Sequence, residues 1–473
     1  MTFLLLTLLL LSLLVLSFSL VEIPERARYG DAYKKTLAIS SSSLSSTSVK
    51  ESVWNAKIDN FDSSNSNTYE QRYFTNDMYW NNGPVFLYIG GEGTLSSSSV
   101  LGGYIVTLAK KYNALLVSVE HRYYGKSLPT NLDTTNLKKF LTVEQALADL
   151  KNFTEFFKKT ITGDSSKVPF FAFGGSYPGA LSGYYRIAYP DATAGALSSS
   201  GVVYPIVDFT GFDESVSSAI GNSCSDVLRR MTSAFEQSTK TKEGFEKALE
   251  MFQCEKDLWI EDFFYMLADS FSMAVQYSQK TSLCGALDIS TPVSDEQLMM
   301  MFSNFTKSFW GPQFCASGFY NTQALSDKTR YDTNSRSWRF QTCYQMSMFN
   351  TAPETGSLRS SMVNLDYHLR QCNAVFGENL EPFKGTTEIN NRYGGLHPKG
   401  HNIFFSDFSD DPWQRASVNY PTSSDLPFHL VKCNDCGHCM DLGTPDNNSD
   451  SEVNQCRADF EGYLQKWIDS YNI

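Results

Sequence analysis

The stretch VPFFAFGGSYPGAL (168–181) constrains the fold of this chain more than any other. Residues 168–176 are an apolar run that ends in glycines, the pattern of a buried strand. Residues 178–189 read as a helix opening on Pro178, which is tolerated because no intrahelical N–H bond is lost in the first turn. Ser176 therefore stands on a sharp strand-to-helix turn that lifts its hydroxyl above a sheet edge. The backbone passes close to strand and helix there, and Gly174 and Gly179 are the small residues such a turn needs. Position 178 carries Pro where the strict G-x-S-x-G spelling has Gly. A glycine-rich loop without chemistry is the competing reading, and the rest of the chain has to decide between them.

The surrounding sequence alternates. PVFLYIGG (84–91), NALLVSVEHR (113–122) and TAGALSSSG (193–201) read as further strands, with helices over 100–112 and 143–159. Strands alternating with helices imply a mostly parallel sheet covered on both faces. From 205 to about 390 the rhythm stops, and this part holds six of the ten cysteines with many Met and Phe. It reads as a mainly helical, disulfide-stapled insertion. HNIFFSD (401–407) and LPFHLVKC (426–433) then resume the strands, and 453–468 reads as a closing helix. The expected organisation is residues 1–19 a signal peptide and 20–53 a partly disordered leader. Residues 54–204 and 396–473 form the two parts of one α/β domain, and 205–395 the helical cap. Ordered structure is expected to begin near Trp54.

A serine hydroxyl needs a base, and the base an orienting acid, here in the chain order Ser, Asp or Glu, His. FFSDFSDDPW (404–413) offers Asp407, Asp410 and Asp411 directly after a strand. Of the six histidines only His429 and His438 come later. His429 lies inside a strand, whereas His438 lies in a loop beyond it and is the better base by position. The N–H of Tyr177 is one expected oxyanion donor, and the loop carrying Gly91 and Glu92 the other. Glu92 has a second possible role, holding a substrate amino terminus, against the plainer one of a structural ion pair.

Composition bounds the setting. The chain has 473 residues, 42% apolar, with a net charge of −12 and no basic stripe, which argues against nucleic acid as a partner. Residues 3–18 form an apolar run too short for an ordinary membrane span and read as a secretory signal, although no Lys or Arg precedes it. An uncleaved anchor is the alternative, and after cleavage no membrane attachment is expected. All ten cysteines follow residue 220, which with a signal peptide implies up to five disulfides. Asn152, Asn304 and Asn447 head N-x-S/T sequons.

KCNDCGHCMDLG (432–443) contains the C-G-H-C spelling of disulfide isomerases, and Cys433, Cys436, His438 and Cys439 are crowded enough to suggest zinc. Neither reading fits the surroundings. Too few residues follow for a thioredoxin-like domain, and structural zinc takes two ligand pairs separated by a longer loop. The expectation is instead two disulfides among Cys433, Cys436, Cys439 and Cys456 that stiffen the loop bearing His438.

GGEG (90–93), EHRYYGKS (120–127), FGGSYPGAL (173–181), NRYGG (391–395), DPW (411–413) and the His438 loop occur in an order that resembles the prolyl serine exopeptidases, the family of lysosomal Pro-Xaa carboxypeptidase, dipeptidyl peptidase II and thymus-specific serine peptidase. The resemblance spans roughly residues 54–470. It implies an α/β-hydrolase fold with a helical cap, and acyl-enzyme cleavage of short peptides on the carboxyl side of proline. It also implies Ser176, Asp411 and His438 as nucleophile, acid and base, no metal or organic cofactor, and a secreted or lysosomal/endosomal glycoprotein. Peptides with proline near a terminus are the expected partners, with a homodimer as a further expectation. Two departures stand out. The family's F-S-N-G-x-x-D-P-W reads FSDFSDDPW here, setting Asp410 beside the acid. The carboxypeptidase's His-His reads His438-Cys439, which favours a dipeptidyl or other exopeptidase. A hydrolase fold that only binds is the rival class, and a complete Ser, Asp, His set argues against it.

Overall fold

The structure is a computed structural model that describes residues 48–162, 168–315, 318–445 and 449–471. The apolar run at 3–18 and Asn447 lie outside these residues. Strands β1 (Val49–Lys57), β2 (Thr68–Asn76), β3 (Val85–Ile89), β4 (Leu115–Val119), β5 (Phe170–Gly175), β6 (Gly195–Ser199), β7 (Ile403–Phe408) and β8 (Phe428–Val431) form one sheet in the order β1-β2-β4-β3-β5-β6-β7-β8. β3 to β8 run parallel, and β2 lies antiparallel to both β1 and β4. This is the α/β-hydrolase arrangement, with the turn after β5 at the carboxyl edge of the sheet.

The central strands are buried along almost their whole length and mostly apolar because both faces are covered; Ser118, Ser198, Ser199, Ser406 and Asp407 are the buried polar exceptions in β4, β6 and β7. Val85, Leu87 and Ile89 enter one core and Phe86 the other; Leu115, Val117 and Val119 oppose Leu116 in the same way. Helices α1 (Tyr104–Tyr112), α2 (Thr134–Phe140), α3 (Val143–Thr162) and α4 (Tyr177–Ala188) occupy the first part of the chain. The first core is closed by α3 and α4 through Leu147, Phe153 and Leu181. The second is closed by α1 through Leu108 and by the last helix through Leu464 and Trp467.

Between β6 and β7 lie α5 (Thr210–Ser238), α6 (Lys242–Phe252), α7 (Ile260–Gln276), α8 (Lys280–Ala286), α9 (Asp295–Trp310), α10 (Thr322–Ser326), α11 (Thr333–Cys343), α12 (Leu365–Phe376) and α13 (Pro382–Tyr393). α14 (Ser451–Tyr471) ends the described chain. Cys224–Cys284 joins α5 to α8, Cys254–Cys315 links the segment after α6 to the segment after α9, and Cys343–Cys372 joins α11 to α12.

Two expectations need correction. β1 begins at Val49, ahead of Trp54, and neither β1 nor β2 was anticipated. β2 reads TYEQRYFTN because its buried polar side chains are paired: Gln71 accepts from Trp54 Nε1 and donates to the Glu120 carbonyl, and Arg72 pairs with Glu120. Of the four C-terminal cysteines only Cys433 and Cys436 are bonded, while Cys439 and Cys456 are buried thiols. Cys439 is held under the turn after β5, where a Cβ on Gly175 would come within 2.8 Å of its sulfur, and it is directed at the Ser199 carbonyl at 3.6 Å.

Candidate active site

Ser176 sits at φ 63°, ψ −130°, a strained conformation for a residue with a side chain. The surrounding backbone over-determines it. The Ser176 N–H donates to the Ser199 carbonyl at the end of β6 (2.9 Å), and the Ser176 carbonyl accepts from Ala180 N–H (3.0 Å). A Cβ on Gly174 would stand 2.0 Å from the Pro178 carbonyl oxygen, and one on Gly179 would stand 2.7 Å from that of Ser199. Both positions therefore admit only glycine while the turn keeps this shape.

Asp411 follows β7 and caps a short 3-10 turn (Pro412–Ala416), its Oδ1 accepting from Trp413 N–H at 3.0 Å. Its Oδ2 lies 2.6 Å from His438 Nδ1. With the Nδ1 proton shared to that carboxylate, the neutral ring presents a bare lone pair at Nε2. Nε2 is buried and has no partner among the described residues. Burial lowers the basicity of the His438 ring, but the Asp411 charge and hydrogen bond outweigh it and push it well above the ordinary imidazole value.

Ser176, His438, Gly91 and Glu92 all line one cavity of about 660 Å³. The 90–93 loop touches the first turn of α4, since a Cβ on Gly91 would be 2.4 Å from Pro178 Cγ. Tyr177 opens α4, so its N–H is among the first-turn donors that have no intrahelical acceptor. Burial pushes the Glu92 carboxyl up, offset by its own backbone N–H and by the His438 charge.

The neighbouring acids have other work. Asp410 Oδ2 accepts from Cys436 N–H at 3.0 Å and pairs with Lys280 at the start of α8 at 2.7 Å. It thus ties the His438 loop to the insertion. Asp407 is fully buried; its Oδ1 accepts from Phe408 N–H at 2.7 Å and its Oδ2 has no partner among the described residues. Burial first, then the Asp411 charge, push its carboxyl well above the usual range. His429 pairs with Asp459 of α14, away from this cluster of contacts.

A model of the serine carboxypeptidase S28 family matches residues 56–460. The chain belongs to that family. Among curated relatives, it is 32% identical over 433 residues to a probable serine protease, EDA2, of Arabidopsis thaliana, covering 88% of this chain and 86% of that one. It is 28% identical over 442 residues to the thymus-specific serine protease of Homo sapiens, covering 87% and 85%. It is also 28% identical over 448 residues to the human lysosomal Pro-X carboxypeptidase, covering 87% of each chain.

In this S28 chain the EHRYYGKS residues are scaffold. Arg122 forms a two-pronged pair with Asp149 (2.7 Å each), and Glu120 accepts from Leu95, Lys126 and Ser127 as well as Arg72. His121, driven down to about 4 by burial, is a neutral acceptor for the Tyr177 hydroxyl at 3.0 Å. That hydroxyl also accepts from Gln341 Nε2 on α11 at 2.7 Å, and Gln341 in turn accepts from the Tyr124 hydroxyl. The insertion supports the base as well. Gln276, at the end of α7, accepts the His438 N–H through its carbonyl (2.7 Å) and the Trp413 indole N–H through its side chain (3.0 Å). Gln276 and Gln341 carried no signal in sequence, because a lone glutamine on a helix is ordinary until tertiary contacts reveal its partner. C-G-H-C is not a redox pair here, since Cys436 is bonded to Cys433. Among the described residues no group of three or more His, Cys, Asp or Glu is arranged to hold a metal ion, and no helix is long and apolar enough to cross a membrane.

Proposed function

We propose that this S28 serine peptidase is an exopeptidase that cleaves short peptides on the carboxyl side of proline through an acyl-enzyme. The observation that carries the reading is the bare, buried Nε2 of an Asp411-anchored His438, in the same cavity as a serine held in a strained turn. His438 takes the Ser176 proton as Ser176 attacks the carbonyl, and Asp411 keeps the ring in the right tautomer and steadies its cation. The N–H of Tyr177 and the loop at Gly91 and Glu92 receive the oxyanion. His438 then protonates the departing amine, and water enters by the reverse steps.

Proline preference is supported by the Pro-X carboxypeptidase relatives and by the aromatic wall that Phe212, Tyr277, Trp338 and Trp413 give the cavity. The insertion frames that cavity, which favours chain ends over internal loops. The disulfides and the lysosomal relatives support a secreted or lysosomal setting. Asn304 is exposed on α9 and suits a glycan, whereas Asn152 is half-buried with its amide donating to Asn60 at 2.8 Å. Ser176→Ala should fold normally and lose labelling by a fluorophosphonate; undiminished labelling would remove the serine from the mechanism. Turnover of a dipeptidyl-proline chromogenic substrate, set against an N-blocked peptide ending in Pro-Xaa, separates the two exopeptidase classes.

A further inference from the structure

Helix α11 turns one face into the cavity. Asn334, Ser335, Trp338, Arg339 and Thr342 line it, the stripe expected of residues about one turn apart. Arg339 is 1% exposed. A guanidinium is always charged, and taking it out of water is costly unless charge and hydrogen bonds replace its hydration. The other deeply buried arginines obey that rule. Arg72, Arg122 and Arg359 pair with Glu120, Asp149 and Asp213. Arg186, Arg336 and Arg457 each donate to two or more main-chain carbonyls.

Arg339 has neither arrangement. Among the described residues no carboxylate oxygen lies within 4.0 Å of it. Its Nη1 donates to Thr342 Oγ1 at 3.4 Å, and its Nη2 to His368 Nδ1 at 3.2 Å and the His368 carbonyl at 3.5 Å. These are long for bonds from a charged donor. Its Nε is buried with no partner. His368 is a neutral acceptor, since burial and the Arg339 charge push its ring well below the ordinary value. Asp269, another residue of the cavity wall, acts on Arg339 through charge without contact; burial drives its carboxyl up to about 6.

α11 is also docked on the residue next to Ser176. The Trp338 ring lies 5.4 Å from that of Tyr177, and Gln341 donates to the Tyr177 hydroxyl. We propose that Arg339 binds a carboxylate of the substrate, in the cavity it shares with Ser176 and His438. The inference rests on the peptidase reading of that cavity and adds a charge requirement to it. A terminal carboxylate and an acidic side chain near the scissile bond present the same chemistry. Such a group would supply the hydrogen-bond acceptors and negative charge that the protein itself does not place beside Arg339.

The test uses protection of Ser176 from a fluorophosphonate, so it does not depend on turnover. Three probes are compared on the full-length protein: N-acetyl-Ala-Pro-Phe as the free acid, the same peptide as the amide, and the amide of N-acetyl-Ala-Pro-Glu. The acid should protect at a concentration about tenfold or more below that of the Phe amide, the value of one charge-assisted contact. Strong protection by the Glu amide with none gained by the acid would assign the site to a side-chain carboxylate, strong protection by the acid alone to the terminal one, and equal strong protection by both to either. Arg339→Gln should bring acid and amide within about threefold, and Arg339→Lys should keep most of the difference. Equal protection by all three probes in the unsubstituted protein, or none by any probe, overturns the proposal even if Arg339→Gln fails to fold. Absence of labelling itself would instead overturn the peptidase reading on which the proposal stands.

Discussion

At the scale of single residues, the pairing of Asp411 with His438 sets a testable pH dependence. Asp411 raises the basicity of a ring that burial alone would lower. kcat/KM should therefore fall as pH drops through the His438 value. Asp411→Asn removes the raising influence, so the acid limb should move to lower pH while kcat drops on the order of 10³–10⁴-fold. A rate profile that keeps its limb in place would separate Asp411 from the base. Asp407 makes the opposite case. Its carboxyl is pushed up, chiefly by burial, so folding favours a proton on it that the unfolded chain releases above about pH 4. Its contribution to stability thus falls as pH rises from there. Asp407→Asn should leave the melting temperature unchanged at pH 4 and raise it at pH 7, with activity kept within a few-fold. An equal shift at both pH values would mean that packing, not the proton, is at stake.

At the scale of elements, the insertion is part of the site as well as a cover for it. α7 holds the backbone of His438 through Gln276, α8 holds its loop through Lys280 and Asp410, and α11 braces Tyr177 through Gln341. Lys280→Met leaves the buried Asp410 without its cation. It should lower kcat several-fold with little change in fluorophosphonate binding at saturation, and Lys280→Arg should restore most of the loss. A normal kcat in the Met variant would make the ion pair purely structural. The Cys343–Cys372 bond anchors α11 to α12 across 29 residues of sequence. Replacing both cysteines with Ser should cost about 2–4 kcal/mol in denaturant unfolding and raise KM more than it lowers kcat.

Across the whole molecule, buried titratable groups pull stability in two directions. Asp262, Asp269, Asp407 and Asp441 are all pushed up, chiefly by burial, and each removes stability as pH rises from about 4 through its folded value. His438 acts in the same sense, favouring the folded state below its raised value. His121 and His368 are pushed down by burial and remove stability as pH falls below about 6.5. Together they place the stability maximum on the acid side of neutral. A melting-temperature profile from pH 4 to 8 should peak there, and Asp269→Asn should remove a loss of stability confined to about pH 4–6. A profile that rises steadily to pH 8 would contradict this balance.

The parallel strands and the Ser176 turn were legible because local pattern carries them, whereas local pattern left Asp407, Asp410 and Asp411 open as the acid and only the family resemblance singled out Asp411. A strand buried on both faces is mostly apolar, and a turn between strand and helix must be lined with small residues. β1 and β2 were not legible, because their polar residues are satisfied by partners far along the chain: Arg72 by Glu120, and Trp54 by Gln71. The cysteine pairing went the same way, since spacing cannot say that Cys439 packs beneath Gly175 while Cys436 bonds its near neighbour. The sequence by itself determined the parallel strands and the elbow turn, which rest on patterns a few residues long. Tertiary structure alone decided which acid meets His438, that Asp410 belongs to a clamp, and that Arg339 is a buried cation without a carboxylate beside it. Those facts concern desolvated charges and their partners, and burial and partner are properties of the folded chain.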